Sequence, residues 1–76
     1  MNWKWTDHIK LQLKERKISK ELAENTLDNP DNIINGKEGR KIYQKITGDK
    51  LIRVVTEKES LITAYLTDKI NKYMEG

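Results

Sequence analysis

The sequence predicts an α+β domain in which two helices precede a four-stranded antiparallel meander and a short helix follows it. Apolar residues recur at helical spacing up to Asn29, and the period falls to two after Pro30. The connections between the later segments are too short for parallel crossovers. With 76 residues, the chain has room for a single domain spanning 1–76.

Thr6 or Asp7 is placed to cap a first helix running to Lys17, a stretch free of Gly and Pro and rich in Leu, Lys, Gln, Glu and Arg. Ile9 and Leu13, four residues apart, mark its packing face, and His8, Gln12 and Glu15 fall on a neighbouring strip with Arg16 beside its far end. Ser19 then caps a second helix from Lys20 to Leu27, with Glu21 in the first turn and Ile18 set to staple against Ala23. Leu22, Ala23, Thr26 and Leu27 form its inward stripe, and Asn29-Pro30 ends it, because the residue before a proline is pushed out of the helical region.

Asp31–Asn35 is a short strand closed by the Gly36-Lys37-Glu38-Gly39 turn. Arg40–Thr47 alternates, with Ile42, Gln44 and Ile46 on one face and Lys41, Tyr43 and Lys45 on the other. After a Gly48-Asp49 turn, Leu51–Thr56 is β-branched enough for a central strand, and Leu61–Leu66 closes the sheet beyond the polar turn at 57–60. Thr67 or Asp68 caps a last helix whose Ile70, Tyr73 and Met74 share a face. Helices at the two chain ends are expected to cover one face of the sheet.

Composition excludes several classes. Apolar and charged residues each make up 36% of the chain, so the core is thin. No apolar run exceeds three residues, far short of the roughly 18 a membrane span needs. The absence of Cys removes disulfide scaffolds, zinc ribbons and thiol nucleophiles, and the single His leaves no metal-ligand set and no cofactor motif. Residues 1–6 lack the apolar segment of a signal peptide, which points to a cytoplasmic protein. Thinness of the core also makes a homodimer plausible.

The net charge of +3 is unevenly spread. Residues 1–18 hold five basic and two acidic groups and residues 40–53 five basic and one acidic, while the rest of the chain is net acidic. If the first helix lies near the central hairpin, the two segments make one basic surface for a phosphate backbone; a solvated Lys-rich face is the plain alternative. Arg40 and Arg53 can bind phosphate bidentately, and Tyr43 between Lys41 and Lys45 is a stacking platform for a single-stranded base, or else an ordinary strand face. His8 is the one side chain whose ordinary pKa lies near neutrality, suited to acid–base work on a phosphodiester. Trp3 and Trp5 either pin the N-terminal segment or meet a partner.

These residues also resemble a known family. His8, then Glu15-Arg16-Lys17-Ile18-Ser19, Asn29-Pro30-Asp31, Gly36-Lys37-Glu38-Gly39-Arg40-Lys41-Ile42-Tyr43, Leu51-Ile52-Arg53-Val54-Val55, Ile62-Thr63-Ala64-Tyr65 and Lys69-Ile70-Asn71-Lys72-Tyr73 look like the prokaryotic family known as domain of unknown function 4258. That family opens on a pattern similar to His-Ala-x-x-Arg-x-x-x-Arg-Gly-Ile-Ser, met here at His8, Arg16, Ile18 and Ser19 and left at Ile9, Gln12 and Lys17. Its element order is similar to RelE/ParE-like toxins, whose fold group includes metal-independent ribonucleases. The resemblance implies His8 as acid or base, Arg40 and Arg53 steadying the phosphate, and Tyr43 or Thr63 orienting the substrate, with Arg16 and Lys69 also in the site. The expectation is therefore a small toxin-like domain cleaving RNA, with an antitoxin-like protein as partner. A non-catalytic nucleic-acid or protein-interaction module of the same fold is the alternative, decided by whether His8, Arg40 and Arg53 meet on one surface.

Overall fold

The computed structural model describes residues 3–74. Its elements are α1 (Asp7–Glu15), α2 (Lys20–Asp28), β1 (Asn32–Asn35), a 3-10 turn at Lys37–Gly39, β2 (Arg40–Thr47), β3 (Lys50–Glu57), β4 (Ser60–Thr67) and α3 (Ile70–Met74). The strands pair antiparallel in the order β1-β2-β3-β4, the meander that the short connections require. No described helix is long and apolar enough to cross a membrane.

The helix starts follow the capping chemistry. Thr6 Oγ1 accepts from the Ile9 amide (3.2 Å) and Ser19 Oγ from the Leu22 amide (3.0 Å), each satisfying a donor that the first helical turn leaves open. Between the helices Lys17 adopts a left-handed φ of 57°, which returns the Ile18 amide to the Leu13 carbonyl at 2.8 Å and turns Ile18 into the core.

Ile9 and Leu13 of α1 and Ala23 and Leu27 of α2 bury against Tyr43, Ile52, Val54, Leu61 and Ala64 of the sheet. This is the near face. Leu22 is only partly buried at its margin. Trp3 meets Tyr43 edge-on at 5.6 Å, so the N-terminal segment is pinned to the sheet as one of the two expected roles of the tryptophans requires. Lys4 bridges Ser60 in parallel, giving its amide to the Glu59 carbonyl (2.8 Å) and accepting from Leu61 (3.4 Å). Ile62 is the extra residue of a bulge where the β3–β4 register shifts between Val55 and Thr56.

Two expectations change. The terminal helices do not share a face: α3 lies over the far side, where alternation points Gln44 and Arg53 away from the core, and Met74 and Tyr73 meet those two residues. Tyr43 is not an exposed base-stacking platform, because its face of β2 is the one α1 and α2 cover and its ring is buried against Trp3. The last helix is the short one expected, and Thr67 Oγ1 accepts the Lys69 amide at 3.2 Å in the turn before it.

Ile52 is fully buried in the near-face core and Leu11 is 56% exposed. Urea denaturation is expected to show a loss of about 2–5 kcal/mol for Ile52→Ala, and a change within about 0.5 kcal/mol for Leu11→Ala.

Candidate functional site

Two polar clusters stand out, and β4 carries a member of each. In the first, α1 and β4 bring together His8, Gln12, Arg16 and Thr63. Thr63 donates its hydroxyl to Gln12 Oε1 (2.8 Å), and Arg16 Nη1 donates to Thr63 Oγ1 (3.2 Å), Gln12 Oε1 (3.4 Å) and the Ala64 carbonyl (2.7 Å). Residues 8, 12 and 16 lie one turn apart on the helix, which is why they align. Arg16 thereby satisfies a carbonyl on the outer edge of β4, leaving Nε and Nη2 without a partner among the described residues.

The network assigns the histidine tautomer. With Gln12 Oε1 taken by two donors, its amide nitrogen faces His8 Nε2 at 3.0 Å and must donate to it. Nε2 is then an acceptor and the ring proton sits on Nδ1. His8 and Arg16 are exposed while Gln12 and Thr63 are half-buried, so the strip presents an imidazole and a guanidinium to solvent from a hydrogen-bonded backing.

The second cluster is a row across three strands. Register places Gln44 opposite Arg53 and Arg53 opposite Tyr65. Arg53 is 8% exposed. Its Nε donates to Gln44 Oε1 (2.7 Å), Nη1 donates to the Tyr65 hydroxyl, and its guanidinium stacks 4.0 Å from the centre of the Tyr73 ring.

The remaining expected residues are dispersed. Arg40, at the start of β2, is exposed and ion-paired with Glu57 (3.7 Å). Lys45 donates to the Asn29 carbonyl (2.9 Å) just past α2, where a cation satisfies the helix end. Lys41 and Lys69 are exposed on β2 and in the β4–α3 connection. No hydrogen bond or ion pair among the described residues joins His8 to Arg40 or Arg53, so the expected trio is not assembled by contact. Thr63 and Tyr65 do face the same side of β4, about 7 Å apart along the strand, so the two clusters are neighbours. Among the described residues no three His, Cys, Asp or Glu side chains are grouped to hold a metal ion.

Gln12, Gln44, Tyr65 and Tyr73 were not singled out from the sequence as site residues. A signal for one of them was present: Gln44 interrupts the Ile42–Ile46 stripe just as Arg53 interrupts the Leu51–Val55 stripe, polar residues at matching places in apolar faces of adjacent strands.

The fold and its clusters define a small α+β domain with a helix-capped antiparallel meander. Over residues 5–66 the chain matches the model of the family described as Domain of unknown function (DUF4258), and it belongs to that family. No curated protein matches it, and no solved structure does.

Thr63→Val removes both the donor to Gln12 and the acceptor for Arg16 at constant shape. It is expected to lower stability by about 1 kcal/mol in denaturant titration. It should also release the His8 ring from a single tautomer, read from its ring ¹⁵N shifts, whereas Thr63→Ser retains both properties.

Proposed function

We propose that this chain acts on RNA through the His8–Gln12–Arg16–Thr63 strip, as a small toxin-like domain that cleaves a phosphodiester without a metal. The observation that carries this reading is the convergence of His8, Arg16 and Thr63 from sequence positions about fifty residues apart, linked through Gln12. His8 Nε2 carries the ring's one lone pair, which takes a proton from a ribose 2′-hydroxyl when that hydroxyl replaces the Gln12 amide it accepts from. Arg16 supplies the unpartnered Nε and Nη2 donors to a phosphate oxygen, a task earlier expected of Arg40 and Arg53. Gln12 stands where the family pattern carries an arginine. An arginine there could not accept from Thr63 and Arg16, so this member keeps one fewer cation in exchange for an ordered strip.

A second reading, a non-catalytic module that binds RNA or a protein such as an antitoxin, is favoured by the strip holding only one candidate acid–base group, His8. Transesterification needs a proton removed from one oxygen and delivered to another.

Incubation of folded protein with total RNA in EDTA separates the two. Cleavage is expected from the wild type, with the rate lowered about 10²–10⁴-fold by His8→Ala. Intact RNA with salt-sensitive binding would overturn the catalytic reading in favour of the module.

A further inference from the structure

The Gln44–Arg53–Tyr65 row combines burial, positive charge and a surplus of hydrogen-bond donors. Arg53 is more than nine-tenths buried, yet the ion pairs among the described residues are Lys20–Glu24 and Arg40–Glu57, and neither reaches it. Its partners are a neutral amide, a neutral phenol and an aromatic face. A buried cation is normally matched by an anion, because removing it from water is costly and neutral dipoles repay only part of that cost.

The donors around it are equally underused. Gln44 gives its carbonyl oxygen to Arg53, so its amide nitrogen is left with the Met74 thioether at 3.5 Å, a weak acceptor. Tyr65 accepts from Arg53, so its own proton points elsewhere and finds no acceptor among the described residues. Arg53 Nη2 has none there either. Gln44, Arg53 and Tyr65 thus lie in register on one side of adjacent strands, each keeping a donor free or weakly paired around a formal positive charge. Because no buried side-chain nitrogen or oxygen among the described residues lacks a partner, the free Arg53 Nη2 is within reach of solvent and of a ligand. Neither a hydrophobic ligand nor a cation satisfies that arrangement; an oxyanion with several lone pairs does.

What covers the row is lightly held. α3 has five residues, none of them buried, and touches the row through the Tyr73 ring and the Met74 sulfur. Both are poor substitutes for a charged acceptor, and both can be displaced by moving one short element.

We propose that Gln44, Arg53 and Tyr65 form a binding site for a phosphate group and that α3 is its cover. The site is separate from the His8 strip and stands whether or not the chain cleaves RNA. A free phosphate ion and the phosphate of a mononucleotide share the chemistry it reads.

The test follows the Arg53 Nε–H resonance of the ¹⁵N-labelled full chain during titration with sodium phosphate or 5′-AMP at constant ionic strength. A saturable shift with a Kd on the order of 1 mM is expected. Tyr73→Ala, which uncovers the row without touching its donors, should tighten binding about three- to tenfold, and Arg53→Gln should abolish it. Equal affinity for the two ligands would assign the site to the phosphate group alone, and tighter binding of 5′-AMP would assign it to a nucleotide. Should neither ligand produce a shift beyond that of sodium chloride, or should Tyr73→Ala fail to tighten binding, the proposal is overturned. Because Tyr73→Ala keeps Arg53, that outcome is readable even if Arg53→Gln does not fold.

Discussion

Docking of Ile9 and Leu13 onto the β3–β4 half of the sheet is the contact on which the rest of the molecule depends. A nine-residue helix does not persist alone in water, since nucleation is unfavourable and few hydrogen bonds follow it. α1 exists because those two side chains bury against the near face. Once it is there, the adjacent strip of the same helix is fixed beside β4, and Gln12 and Arg16 reach Thr63 and the Ala64 carbonyl. The apolar face thus positions the polar one.

Three arginines show how far position decides what one side chain does. Arg40 lies at a strand end beside Glu57 in solvent, a geometry worth little energetically and easily exchanged. Arg16 spends one nitrogen on protein and presents the others outward. Arg53 is enclosed with neutral partners only. Sequence spacing treats the three alike. Solvation distinguishes them, and solvation is set by which face of which element the helices cover.

Local features were therefore legible and relational ones were not. The caps at Thr6 and Ser19, the stop at Pro30 and the bounds of β2 follow from residue chemistry acting over a few positions. Alternation divided β2 correctly into two sets, but it cannot say which set meets the helices; Tyr43 rather than Ile42 turned out to face α1 and α2. Nor does a five-residue helix carry a mark of the side it will fold to, and α3 went to the far face. The basic segments 1–18 and 40–53 were visible as charge, whereas the link from His8 to Thr63 depends on a docking angle that no periodicity encodes. Matching polar interruptions at Gln44 and Arg53 were the one long-range signal the pattern did hold.

The two margins of the sheet are unlike each other. The β4 margin is engaged at three places, by Lys4 at the Glu59 carbonyl and the Leu61 amide and by Arg16 at the Ala64 carbonyl; β1 hydrogen-bonds to a strand on one side only. Strand addition is thus easier at the β1 margin than at the partly engaged β4 margin. Two copies joined margin to margin through β1 would form one continuous eight-stranded sheet whose outer borders are the two partly engaged β4 margins. An isologous assembly of that kind would use up the open margin of each copy and leave the Lys4 and Arg16 contacts to impede further strand addition.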